Sequence, residues 1–223
     1  MKNILFEELH PDELKEIIED SGIVFLPLGS LEWHERHLPF GLDAFISYEI
    51  CKAVCNKVGG CVIPPLYFGT DREHNVGGKL MHGIDAKVGK VLPGSIYFLK
   101  PELFYQVLKS IAENVAKQGF KKLVVVSAHS GTAQHQVLEK LSKGKFGNMK
   151  IFVFPGKNFP GGIDHAGKAE TNLMLKIRPS DVHIHKLKKP YTGIMGDDPL
   201  DSNKKDGQKQ FTAIVEAIEK EIL

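Results

Sequence analysis

The sequence predicts an α/β fold built on a mainly parallel sheet, and three observations carry that reading. Two runs, IVFLPL at 23–28 and KKLVVV at 121–126, have strand length and the apolar character of strands buried on both faces. Segments with apolar residues at helical spacing follow each of them, so strand and helix alternate along the chain. Alternation of that kind uses right-handed crossovers and lays helices on both faces of the sheet. At 223 residues the chain suits one domain, 1–223, with a loop or arm excursion at about 69–95.

The elements follow in order. Pro11 opens a helix reaching about Asp20, with Leu14, Ile17 and Ile18 on one face and Gly22 as its stop. Ile23–Leu28 is the first strand. Ala44–Lys57 carries Ile46, Ile50 and Val54 and ends at a Gly-Gly pair, so it reads as a helix. Cys61–Tyr67 is a short strand that Pro64 and Pro65 cut early or push to an edge. From Gly69 to Ser95 glycines recur without periodicity, too long a stretch for plain loop, so it reads as a lid or a partner-binding arm. A helix over Pro101–Gln118, the Lys121–Val126 strand, a helix over Ala133–Ser142 and a strand over Ile151–Phe154 come next. A helix at Lys168–Ile177, a short strand at Val182–His185 and a last helix from Gln208 to Ile222 complete the chain.

Composition narrows the function classes. Lys plus Arg exceed Asp plus Glu by two, and the basic pairs lack interleaved aromatics, so neither nucleic acid nor an anionic membrane is the expected partner. No run approaches the length of a spanning helix, and the amino terminus carries acids where a signal peptide would not. A cytoplasmic protein is the expectation. Cys51, Cys55 and Cys61 lack a fourth thiol and a CxxC pair, and read as buried free cysteines. The PGKNFPGG stretch has Gly-Lys but no following Ser or Thr, which argues against a phosphate-binding loop.

In open parallel sheets the ligand site lies beyond the carboxyl ends of the strands. Gly29–Asp43, Ser127–Thr132 and Pro155–His165 each follow a strand, so one rim gathers Glu32, His34, Asp43, His129, His165 and Glu170. Each has a plain alternative on its own: an exposed histidine, an Asp43 that caps the next helix, a Glu170 that answers the helix dipole. Six together at strand ends point to a divalent-metal site of mixed carboxylate and imidazole donors, suited to zinc, manganese or iron.

Several stretches carry a family resemblance. LPLGSLEWHERHLPFGLD resembles the creatininase-family pattern LPxGSxEqHGpHLPxxTD, and VVVSAHSGT resembles that family's strand followed by NGHGGN. HAGKAET, PGSIYF and GIMGDDPLDSNKKDGQK are similar to its HAGxxET, PGTIxL and GVxGDPxxAxxexG segments, in the same order. The resemblance implies a three-layer αβα sandwich, often a homo-oligomer, that hydrolyses non-peptide carbon–nitrogen bonds with two divalent ions. Carried over, Glu32, Asp43 and His129 hold one ion, and His34 and the shared Asp43 hold the other. Some members have a further carboxylate where Gly131 stands here, and Glu170 is its natural replacement, as ligand or as support for one. His165 matches the catalytic histidine that stabilises the tetrahedral intermediate or protonates the leaving nitrogen.

The chain departs from the pattern at Glu35 and Arg36, where Gly and Pro are usual, and at Leu42, Ser127 and Thr132. Glu35 either selects a cationic substrate or pairs with Arg36, the latter being the expectation. His37 reads as structural or as support for a ligand. The substrate implied is a small-molecule amide: a formamidopyrimidine nucleotide, favoured by the compact length and the single Trp33, or a cyclic amide such as creatinine. A peptide-trimming hydrolase of the same family and a non-catalytic metal- or ligand-binding relative are the alternatives.

Overall fold

The computed structural model describes residues 3–96 and 98–223. Met1 and Lys2 of the amino-terminal stretch and Tyr97 of the PGSIYF match lie outside them.

Four parallel strands form the central sheet in the order β2-β1-β5-β6: β1 (Ile23–Leu28), β2 (Cys61–Val62), β5 (Lys122–Ser127) and β6 (Lys150–Pro155). The six residues of β1 are all buried, because it lies between β2 and β5 and is covered on both faces. Alternate side chains part to opposite sides, as a pleated strand requires. Ile23, Phe25, Val124 and Val126 pack with α2 (Leu42–Val58), α6 (Lys168–Ile177) and α7 (Lys204–Ile222). Val24, Leu26, Leu123 and Val125 pack with α1 (Pro11–Asp20), α4 (Pro101–Lys117) and α5 (Thr132–Ser142). The result is three layers, helices over a parallel sheet over helices.

The Cys61–Tyr67 strand is shorter than its apolar run. Pro64 and Pro65 end it after Val62, and the chain rejoins β1 through the Leu66 amide, which donates to the Pro27 carbonyl at 3.0 Å. Val182–His185 is not a strand: Ile184–Lys186 forms one 3₁₀ turn, and the His183 amide donates to the His37 carbonyl at 2.8 Å. Lone β-propensity without a neighbouring strand to pair with gives no ladder. The last helix begins at Lys204, four residues before the expected start, because Asn203 caps it by accepting from the Asp206 amide.

The 69–95 excursion is ordered by local chemistry that glycine supplies. β3 (Glu73–Val76) and β4 (Lys79–His82) form an antiparallel hairpin, followed by the short helix α3 (Gly83–Val88). Its two-residue turn is Gly77-Gly78, with φ of 59° and 83°, the left-handed pair that a tight hairpin turn needs.

Because β1, β5 and β6 run parallel, the 29–41, 128–131 and 156–167 loops leave the sheet at one rim. No helix among the described residues is long and apolar enough to cross a membrane.

Candidate metal centre

The rim assembles all six expected residues. Glu32 and His34 leave β1, Asp43 lies in the first turn of α2, His129 follows β5, His165 follows β6, and Glu170 lies in the first turn of α6. Asp43 is not the cap of α2, since Gly41 occupies that place. Its carboxylate is 1% exposed and turns inward, where Oδ2 accepts from Ser30 Oγ at 2.8 Å.

Two donor groups share that carboxylate. Glu32, Asp43 and His129 bring donor atoms within 4.8 Å of one another, and so do His34, Asp43 and Glu170. On one side, His129 Nδ1 is 3.1 Å from Asp43 Oδ2 and 3.3 Å from Glu32 Oε2. On the other, His34 Nε2 is 3.4 Å from Asp43 Oδ1 and 3.7 Å from Glu170 Oε2. Glu32, His34 and His165 form a third group at the same limit. Ring and carboxylate are held from behind: the Glu32 carbonyl lies 3.1 Å from His34 Nδ1, the Ile84 amide donates to Glu32 Oε1, and the Ala166 amide donates to Glu170 Oε2 at 2.6 Å. Orientation of this kind is what a metal ligand needs from its surroundings.

The electrostatics are those of a cluster short of positive charge. Burial pushes His34 down, but Asp43 and Glu170 outweigh it and raise the ring to about 9. Burial likewise opposes the charged form of His129, yet hydrogen bonds to Asp43 and Glu32 lift it well above the usual range. Glu32 is pushed up by burial and pulled down further by His165, His129 and His34, to about 2. Glu170 goes the other way, raised by burial, with Asp43 and Asp164 adding repulsion. Protons thus stand in for cations among three buried carboxylates. Among the described residues His34 Nε2 and His129 Nε2 have no hydrogen-bond partner, although both are buried. The orphaned His34 Nε2 beside the Asp43 and Glu170 carboxylates, with His129 Nδ1 against Asp43 and Glu32 and no thiolate in the set, fits divalent ions.

His165 lies against this cluster. Its Nε2 donates to the Trp33 carbonyl at 2.8 Å, and its ring stacks on His34 with centroids 4.5 Å apart. Burial keeps it neutral, with its pKa down at about 4. His37 is fully buried, with Nε2 3.0 Å from Thr171 Oγ1, and belongs to none of the donor groups among the described residues.

Glu35 does not pair with Arg36. It is buried, and Oε2 accepts from the Thr192 amide at 2.6 Å, while Trp33 Nε1 donates to the Thr192 carbonyl at 2.9 Å. Its φ is 55°, the left-handed region that suits glycine, which is what the family pattern has there. The carboxylate therefore holds Thr192, at the start of the 192–196 segment.

The sequence reading missed four contributors. Ser30, placed just after β1, touches both Asp43 and His129. Asp71, Lys87 and Met195 line the cavity beside the cluster, whose volume is about 70 Å³. Ser30 and Met195 stood in quoted motifs, but that Met195, Asp71 and Lys87 reach the cavity depends on how the excursion and the late loop fold back, which no local pattern reports.

A family model described as creatinine amidohydrolase matches residues 7–222. The creatinine amidohydrolase of Pseudomonas putida is 24% identical over 188 residues, covering 74% of this chain and 68% of that protein. The 3-dehydro-scyllo-inosose hydrolase of Thermotoga maritima is 24% identical over 201 residues, covering 81% of this chain, which spans only 58% of that protein's length. A mutant creatininase of the Zn-Zn type superposes with a TM-score of 0.77 at 21% identity, covering 100% of this chain and 98% of the other. That likeness is one of fold, and the family match extends over nearly the whole sequence that folds this way. The chain belongs to the creatininase, or creatinine amidohydrolase, family.

Proposed function

We propose that this protein is a metal-dependent amidohydrolase that cleaves a non-peptide carbon–nitrogen bond of a small molecule. One observation carries the reading: Asp43 belongs to two donor groups at once, the arrangement that holds two ions side by side. Glu32, Asp43 and His129 would hold one divalent ion, and His34, Asp43 and Glu170 the other, with zinc, manganese or iron all suited to these donors. Such ions, when bound, polarise the amide oxygen and acidify the attacking water.

The chain's own groups do the rest. With Nε2–H donated to the Trp33 carbonyl, His165 presents an unprotonated Nδ1. That nitrogen takes the proton of the attacking water and returns it to the leaving nitrogen. Trp33 fixes the ring through its carbonyl, and Glu35 and the Trp33 indole fix the 192–196 segment beside it. A cavity of about 70 Å³ admits a formyl, a lactam edge or an amide head, while the remainder of a substrate lies outside.

The test is release of formate or ammonia, or ring opening, by metal-reconstituted protein. The panel holds formamidopyrimidine nucleotides, lactams, creatinine and 3-dehydro-scyllo-inosose. Turnover of an amide that His165→Ala abolishes supports the reading. A protein with its ions bound and inert to the whole panel favours a non-catalytic relative.

A further inference from the structure

The cavity holds one carboxylate that none of the donor groups uses. Asp71 lines it between Gly131 and Gly83, yet is absent from every group of three whose donor atoms lie within 4.8 Å. Among the described residues its one hydrogen bond is from the Arg72 amide to Oδ1, at 2.7 Å, so Oδ2 is left for something else.

Two glycines make the place that Oδ2 occupies. A β-carbon at Gly131 would lie 3.1 Å from Asp71 Oδ2 and 3.0 Å from its Cγ. One at Gly83 would lie 3.5 Å from the same oxygen and 2.7 Å from Glu32 Oε1. Any side chain at 131 would meet the Asp71 carboxylate. Lys87, which lines the same cavity, is exposed and sets Nζ 3.2 Å from Met195 Sδ, and no ion pair joins it to Asp71 among the described residues.

We propose that Asp71 is a specificity residue, which binds a cationic N–H donor of the substrate (an amidinium, guanidinium or ammonium) beside the bond to be cleaved. The physical reason is desolvation. A substrate entering so small a cavity strips water from Oδ2, and a neutral, donorless substrate would leave that carboxylate unpaired. A planar N–H pair restores the lost hydrogen bonds with charge assistance. The assignment of the neighbouring scissile bond rests on the hydrolase reading; the recognition of the cation does not.

Acetamidinium and acetamide separate the two, being matched in shape and different in charge. Their binding to the metal-loaded protein is followed by NMR titration, with metal content measured on each variant. Wild type should prefer acetamidinium by about ten- to a hundredfold, the range of one charged hydrogen-bonding pair. Asp71→Asn should lose that preference and keep its metals, and Asp71→Ala should behave alike. Equal binding of both probes by wild type overturns the proposal, as does a preference that survives in Asp71→Asn. Loss of metal from Asp71→Asn overturns it in favour of a ligand role. A protein that selects acetamidinium through Asp71 but hydrolyses no amide sinks the hydrolase reading alone.

Discussion

Glu35 offers the sharpest test of how this site is built, because two opposed effects meet in one side chain. Its left-handed backbone costs a non-glycine residue about 1–2 kcal/mol. Its buried carboxylate returns about 1.5–3 kcal/mol through the 2.6 Å bond from the Thr192 amide. Glu35→Ala removes the bond and keeps the strain, and should destabilise by about 2 kcal/mol. Glu35→Gly removes both and should cost only about 1 kcal/mol. For a chain of this length that difference separates the two variants by roughly 2–4 °C in Tm, with glycine the more stable. Metal-free protein is the right sample, since bound ions shift Tm by mass action.

Activity supplies a second readout on the same pair. The Trp33 carbonyl that orients His165 sits in the turn whose next but one residue is Glu35, and both side chains hold Thr192. Loosening that grip should lower kcat in both variants while leaving metal content unchanged. If Glu35→Gly melts at or below Glu35→Ala, the backbone is not strained there and the argument fails. If Glu35→Ala melts with wild type, the Thr192 contact contributes nothing.

Four other outcomes follow from the same geometry. Asp43→Asn should weaken both ions and Glu32→Gln or Glu170→Gln only one. If apparent structural-site energies of about 10–16 kcal/mol are spread over four ligands, each is worth roughly a hundred- to a thousandfold in affinity, and metal analysis after dialysis reads the stoichiometry. His165→Ala should keep its metals and lose turnover; loss of metal would recast His165 as a ligand, in keeping with its place in the third donor group. In metal-free protein, burial and then His34 hold His37 down at about 4, below its ordinary 6.5. The unfolded chain takes up that proton first, so stability present above 6.5 falls as pH drops toward 4, at up to about 1.4 kcal/mol per pH unit for one group. His37→Gln should flatten the slope of Tm against pH in that window. Gly207→Ala should destabilise by about 2–3 kcal/mol, because its β-carbon would collide with the Asn172 carbonyl oxygen where α7 crosses α6; an unchanged Tm would refute that packing.

What the sequence disclosed and what it concealed divide along a physical line. The β1 and β5 strands were legible because burial on both faces leaves an unbroken apolar run, and parallel strands put their following loops on one rim. Glu32, His34, Asp43 and His129 were therefore legible as neighbours. The hairpin was signalled by Gly77-Gly78 and masked by the polar, exposed Glu73, His74 and Asn75 around it. Thr192 lies 157 residues from the carboxylate that holds it, and nothing local to Glu35 announces such a partner. The apparent strand at Val182–His185 shows the converse: local pattern without a neighbour to pair with.

Glu170 and Gly131 are best understood together. Glu170, set in the first turn of α6 and held by the Ala166 amide, brings a carboxylate to the His34 side of the cluster. With that donor supplied from α6, position 131 needs no side chain, and its glycine leaves room for the Asp71 carboxylate, which would lie 3.0–3.1 Å from the missing β-carbon, closer than an ordinary van der Waals contact. On the proposed reading, metal binding and substrate recognition rest on different carboxylates from different elements. A substitution at Asp71 should change which molecules bind without emptying the site, and one at Glu170 should empty half of it without changing the preference for charge in what still binds. Both variants changing both properties would mean that the two carboxylates act as one unit, and the division proposed here would be wrong.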